Sequence, residues 1–487
     1  MRLQTLTGIA SIPAVQALAV SSLLWLIIFV YCNYALWRDP HGAYFHSENV
    51  YDLDYSLVRQ EESRGFLHQL TLKSLSNATT TDETDDADDT GDNIPPIPPP
   101  VHASDHPILC AAFATVRRPR NPNAVHYFSD SVGSMLEGLT PKERAAINAT
   151  VLFANADDPT KHPDYSAPWL PALVDHYAGY EHLSDDEIAE LLRLQKGEDF
   201  QRKGVLDYLY LLDRCYNETD APFIGVFEDD IIFARDWFAR TLLGLQELVK
   251  TTTPWLYLRL FYTETHMLWD AEADWWYGHM LTTFALASLA TAAGLLLARQ
   301  LMRQLHICGA RTGVSGPGHL RLRLDMPTIA VLSIIVAPAF TALAFMAGKY
   351  NLPMYRLRNG TAGNAVGSIL GQGSAGLVLM DRQGCCSQAL IFDRKQVPSM
   401  IAYLSGRGRG QTDMMIEDYA NENNLHRWAL GEQAVQHVGT VSSRGGGGVK
   451  GSSVWAFYFE DTRPETVEKR KQKILEKIDW GMFESLR

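Results

Sequence analysis

The residues best placed to do chemistry are three consecutive carboxylates, Glu228-Asp229-Asp230, which close the apolar run Phe223-Ile224-Gly225-Val226-Phe227. A run rich in β-branched and aromatic residues reads as a buried strand, and charges at its end cannot be packed unpaired into the core. Alternation along an extended chain puts Glu228 and Asp230 on one face and Asp229 on the other. Two hard oxygen ligands can thus converge on Mg²⁺ or Mn²⁺ beside a diphosphate. The competing reading of so short a motif is a solvated acidic turn that ends a strand. A second group, Thr115-Val116-Arg117-Arg118, ends another apolar run that starts at Pro107. Its hydroxyl and guanidinium groups suit a nucleotide, because arginine matches phosphate and stacks on bases; a basic surface turn is the alternative.

The elements that must position these groups alternate. Strands are expected at 107–115, 150–155, 223–227 and 255–261. Helices are expected at 127–136, 188–194, 200–214 and 236–250, with an acidic start at Ser184-Asp185-Asp186-Glu187. The helix at 200–214 carries Lys203, Asp207 and Tyr208 among its apolar residues. Such alternation predicts an α/β fold, a parallel or mixed sheet flanked by helices, whose ligands bind at the carboxyl ends of the strands. Two further strands, 376–380 and 388–392, are expected with a turn between them. Helices follow at 398–404 and at 412–419, the latter capped by Thr412 or Asp413 and bearing Glu417 and Asp418. A late strand, 433–441, contains His437, and 463–477 reads as a charged, exposed helix.

At 487 residues and 46% hydrophobic, the chain exceeds one soluble domain. Its net charge of −13 looks like evidence against nucleic acid as a partner, but seven of the negative charges fall in one linker run, Asp82 to Asp92, so the rest is only mildly acidic; no nucleic-acid partner is expected. Three stretches, 15–36, 280–298 and 327–348, are long and apolar enough to cross a bilayer. The first is expected to be a signal anchor behind a cytoplasmic tail, 1–14. Arg299, Arg303, Arg311, Arg321 and Arg323 place the loop 299–326 in the cytoplasm. A stem, 37–75, and an acidic, proline-rich linker, 76–106, would tether a lumenal domain whose halves, 107–279 and 349–462, flank the hairpin; 463–487 closes the chain. Four sequons, at Asn77, Asn148, Asn217 and Asn359, all fall on the lumenal side. Cys110, Cys215, Cys385 and Cys386 would then meet an oxidising lumen, in any of three fully paired patterns.

Taken in order, Thr115-Val116-Arg117-Arg118, Asp207-Tyr208, Glu228-Asp229-Asp230-Ile231, Cys386-Ser387-Gln388-Ala389, Thr412-Asp413 with Glu417-Asp418, and Gln436-His437-Val438-Gly439-Thr440 followed by Ser442-Ser443 resemble the GT-A glycosyltransferases. The order is similar to that of the N-glycan-branching N-acetylglucosaminyltransferases. With a membrane hairpin between the acidic half and the histidine half, the chain more closely resembles the three-span Golgi transferases that add an N-acetylgalactosamine side chain to the mannose of GPI anchors. The resemblance implies a GT-A domain, a UDP-sugar donor such as UDP-GalNAc, a Mn²⁺-type metal, inversion, a GPI-anchored acceptor and a Golgi membrane location, with the ER as an alternative. It also implies roles. Asp230, with Glu228 or Asp229, would hold the metal, and His437 would add a ligand or a diphosphate contact. Thr115, Arg117, Arg118, Asp207, Glu228 and Asp229 would serve the donor. Asp413, Glu417 or Asp418 would take the acceptor proton, with Asp418 or Glu417 favoured because Asp413 can serve simply as a helix cap. A non-catalytic glycan-binding membrane protein on the same fold and an N-glycan-branching transferase are the rival readings. The Gly/Arg-rich stretch 405–411 departs from the pattern.

Overall fold

The computed structural model describes residues 12–79, 102–118, 127–265, 277–311, 324–348, 376–380, 384, 386–440 and 454–486. Most of the linker, Arg321, Arg323, the Asn359 sequon, Cys385 and Ser442-Ser443 lie outside them. The chain divides into two compact units, Met1–Val50 with Asp270–Arg356, and Tyr51–Trp269 with Leu357–Arg487.

Among the described residues, three helices are long and apolar enough to span a membrane, Pro13–Ala35, Met280–Gln304 and Met326–Ala347, and all lie in the first unit. The first packs on the third, where the Trp25 indole N–H donates to the carbonyl of Ala339 at 2.9 Å. Phe284 stacks on Phe345 between the second and third. The Asp325 carboxylate caps the third helix by accepting from the Thr328 amide at 2.8 Å. A π-helical turn, Leu332–Val336, precedes Pro338, whose missing N–H interrupts the regular ladder there.

The second unit is α/β. Its helices include α1 (Tyr55–Thr79), α2 (Tyr127–Leu136), α3 (Asp185–Lys196), α4 (Phe200–Glu218) and α5 (Trp237–Val249). After the membrane hairpin come α6 (Val397–Arg407), α7 (Thr412–Glu422) and α8 (Pro464–Leu475). A mixed eight-stranded sheet runs in the order β3 (His176–Ala178), β2 (Ile147–Phe153), β1 (Leu109–Thr115), β4 (Phe223–Glu228), β8 (Ala389–Asp393), β6 (Trp255–Arg259), β9 (His426–Leu430), β7 (Leu377–Met380). Strands β3, β2, β1 and β4 are parallel, whereas β8 runs antiparallel to both of its neighbours. Every β1 side chain but Ala114 is buried, as are all of β4 except Glu228, which is the pattern of a sheet covered on both faces. A disulfide between Cys110 and Cys215 ties β1 to α4; Cys386 is also disulfide-bonded.

Several expectations are corrected. β7 and β8 form where two strands are expected, yet they are not neighbours in the sheet: β8 inserts between β4 and β6, and β7 lies at the far edge against β9. Buried positions at the sheet centre suit the apolar Ala389–Phe392, whereas Leu379 of β7 is exposed, as an edge strand tolerates. Strands β3 and β9 are short and mixed in composition, and the periodicity did not reveal them. Neither Thr412 nor Asp413 caps α7; Gln411 occupies that position without a side-chain bond. The charged helix α8 is not free in solvent. Its Lys471 is buried against Glu143 at 2.9 Å, and its Arg470 pairs with Asp236 and Glu432. The presumed stem helix α1 belongs to the α/β unit, with Leu67 and Leu70 in its core.

Candidate metal centre

The acidic triplet sits where β4 leaves the sheet. β4 ends at Glu228, the chain turns through Asp229 and Asp230, and β5 (Ile231–Phe233) starts at once. This short strand pairs antiparallel with β10 (Val435–His437), setting His437 opposite Ile231. The Val438 amide donates to the Asp230 carbonyl at 2.9 Å, which locks the register at the turn. Residues about 200 positions apart are thereby brought together: one ligand atom each from Glu228, Asp230 and His437 lies within 4.8 Å of the others.

The electrostatics of the three are linked. Asp230 is held low, near the bottom of the carboxylate range, because its attraction to His437 and Arg118 outweighs its burial. Burial, then the charge of Asp230, pushes Glu228 up to about 7. Burial lowers the basicity of His437, but the carboxylates of Asp230 and Glu228 more than offset this and raise it to about 9. Without a cation, His437 is an imidazolium whose Nε2 lies 3.5 Å from Asp230 Oδ1. Its Nδ1–H donates to the carbonyl of Val454 at 3.1 Å, which turns Nε2 toward the carboxylates. Ser387 Oγ donates to Glu228 Oε1 at 3.1 Å and aims the outer carboxylate.

Two observations fit these residues to a divalent cation. Among the described residues, the buried Asp230 Oδ1 has no partner within good hydrogen-bond geometry and is met only by the His437 ring at 3.5 Å, which leaves room for a cation to approach it. A Cβ on Gly439 would lie 2.1 Å from Asp230 Oδ2 and 2.9 Å from His437 Nε2, so glycine keeps the space beside both ligands open. Two carboxylates and one imidazole suit Mn²⁺ or Mg²⁺, with positions left for other oxygens.

Asp229 faces away, as alternation predicts, and is fully engaged. Arg118 grips it through two bonds, Nη1 to Oδ2 at 2.7 Å and Nη2 to Oδ1 at 2.6 Å, and Thr115 Oγ1 donates to Oδ2 at 2.7 Å. Arg118 also reaches Asp230 Oδ2 at 3.4 Å and lies over the Tyr127 ring. Asp229 therefore positions Arg118 and Thr115 against the cation site. Behind Thr115, His162 is held well below its usual range, to about 4, by burial and by the charges of Arg118 and Arg117. The neutral ring accepts the Asp164 amide at Nδ1 and donates from Nε2 to Thr115 Oγ1 at 3.1 Å.

The other proposed residues are dispersed. Arg117 is exposed. Asp207 is bound to Lys203 and Tyr180 beyond the end of β2, where Lys203 also donates to the Ala154 carbonyl. On α7, Glu417 is buried and saturated by Tyr257, Arg259 and Arg427. Asp418 is half exposed, 3.8 Å from Arg407. Asp413, in the first turn of α7, is half-buried, and its Oδ1 accepts from the Met414 amide at 2.9 Å. Among the described residues, the buried hydroxyl of Tyr208 and the buried Oε1 of Gln388, which lies beside Glu228, meet no hydrogen-bond partner. Sequence reasoning did not single out Tyr127, His162, Ser387 or Gly439 as site residues. Of these, Ser387 and Gly439 left a signal, since both fall within stretches that carry the resemblance, Gly439 two residues after the histidine. No family model and no curated protein matches the chain.

Proposed function

We propose that the α/β unit is an inverting, metal-dependent glycosyltransferase of the GT-A kind, which uses UDP-GalNAc to add a side-chain sugar to the mannose core of GPI anchors in the Golgi. The observation that carries this reading is the convergence of Glu228, Asp230 and His437 at the strand end where Arg118 and Thr115 also lie. A cation held there supplies Lewis-acid neutralisation of a leaving diphosphate. Arg118, pre-set by its two bonds to Asp229, offers a fixed positive edge to the same phosphates. Direct displacement at the sugar carbon needs a base for the acceptor hydroxyl, and Asp413 suits it best. Glu417 is buried and already accepts from Tyr257, Arg259 and Arg427, and Asp418 lies 3.8 Å from Arg407. The acceptor proton passes to Asp413 as the new C–O bond forms and UDP leaves. The unpartnered Tyr208 hydroxyl and Gln388 Oε1 supply polar contacts for a sugar beside Glu228.

The test is mass spectrometry of GPI-anchor glycans from cells that express the parent protein or Asp230→Ala, with UDP release from UDP-GalNAc measured on the purified proteins. The proposal expects both the side chain and UDP release to disappear in Asp230→Ala. Unchanged anchors, or equal UDP release, would refute it and favour the non-catalytic reading.

A further inference from the structure

The cation site stands on a ribbon that cannot hold itself. β5 and β10 contribute three residues each, and an isolated two-stranded ribbon is marginal in water. Core packing of Ile231, Phe233 and Val435 and a bond from the Phe233 amide to Ser134 Oγ of α2 hold it in part, and α1 adds a brace from outside. Arg59 on this helix is fully buried. Its Nε donates to the Phe233 carbonyl of β5 at 3.0 Å and its Nη2 to the Ser134 carbonyl of α2 at 2.8 Å, while Glu62 and Glu137 balance its charge. Next to it, Tyr55 Oη accepts from the Arg235 amide just past β5, at 3.1 Å.

The other strand is reached from the same turn of helix. Gln436 of β10 is completely buried; it accepts from the Ala456 amide at 2.8 Å and donates to the Ala456 carbonyl at 3.0 Å. Its amide also donates to Glu460 Oε1 at 2.7 Å. Glu460 in turn accepts at Oε2 from the amides of Asp54 and Ser56, both at 2.9 Å, and takes the Ser56 hydroxyl at Oε1. A carboxylate on the open amides of a helix start is favoured by their unsatisfied N–H groups and by the helix dipole. The segment that Glu460 and Gln436 pin includes Val454, whose carbonyl orients His437.

We propose that α1 is a positioning element of the cation site, gripping β5 through Arg59 and β10 through the Ser56–Glu460–Gln436 chain, so that ligand geometry depends on a helix that precedes the linker. This rests on the reading of Glu228, Asp230 and His437 as ligands. Arg59 and Glu460 touch none of them and act through the backbone of the ribbon.

The experiment uses the full chain in detergent, with Mn²⁺ affinity from electron paramagnetic resonance and amide hydrogen exchange in the ribbon. Arg59→Met and the milder Ser56→Ala are compared with Arg144→Met. Arg144 braces the opposite, amino-terminal side of the sheet through Asp175 and the carbonyls of Ile147 and Leu173. Arg59→Met should weaken Mn²⁺ binding at least about tenfold and Ser56→Ala measurably less, both with faster exchange at 231–233 and 435–438. Arg144→Met should lower the melting temperature without either change. Unaltered Mn²⁺ affinity and ribbon exchange in Arg59→Met would overturn the clamp, as would an equal loss in Arg144→Met. A parent protein that binds no Mn²⁺ would instead remove the metal reading, and ribbon exchange would still decide on the clamp.

Discussion

At the scale of single residues, the candidate cation site sets protons in competition with the metal proposed to bind there. Glu228, raised to about 7, and His437, raised to about 9, both carry protons that a bound cation must displace. Below pH 7 both are protonated, and between 7 and 9 only His437 is. Mn²⁺ affinity should therefore rise with pH, by about two log units per pH unit below 7 and about one between 7 and 9, flattening above. Calorimetric titration across that range checks the sign; an affinity that falls as pH rises would mean that these two groups are not ligands. Gly439 gives a second prediction. A Cβ there would lie 2.1 Å from Asp230 Oδ2, so Gly439→Ala should cost at least about tenfold in Mn²⁺ affinity with little change in melting temperature. Parent-like binding would show that the ribbon can move aside.

At the scale of elements, the four carboxylates of α7 differ in fate: Asp418 and Glu422 lie exposed beside Arg407, Glu417 is buried, and Asp413 is half-buried in the first turn. Glu417 points inward and holds Arg259, which in turn bonds the carbonyls of Gly384 and Cys386 and so braces the loop that brings Ser387 to Glu228. Removing Glu417 leaves two buried guanidinium groups without their shared partner, and Glu417→Ala should cost about 3–5 kcal/mol, read as a fall in melting temperature. Asp413→Asn, which disturbs no buried pair, should abolish sugar transfer at unchanged melting temperature. If Asp413→Asn transfers normally, Asp413 is not the base.

At the scale of the whole chain, three helices long and apolar enough to cross a bilayer accompany an α/β unit assembled from both sides of the hairpin. For an enzyme acting on a lipid-held acceptor, anchoring acts as a high effective concentration. Replacing residues 277–348 with a soluble linker should lower transfer to bilayer-held acceptor by about 10²-fold or more. UDP-sugar hydrolysis in solution should stay near the parent rate, since the metal ligands and Arg118 all lie outside that stretch. Equal losses in both assays would give the hairpin a folding role instead.

The sequence by itself determined the α/β alternation, the three apolar spans and the acidic strand end, because each is written in local periodicity. The inward helices and buried strands need only an apolar pattern, and Glu228 and Asp230 share a face by simple alternation. The place of β8 between β4 and β6 was illegible, since an apolar run of that length suits any central position in a sheet. The tertiary structure alone decided that Asp229 is consumed by Arg118 and Thr115, that Glu417 is buried while Asp418 is exposed, and that α1 braces the site. These depend on long-range pairing, and above all on the register of β10 against β5, which sets His437 and Gly439 beside Asp230 across more than 200 residues of chain.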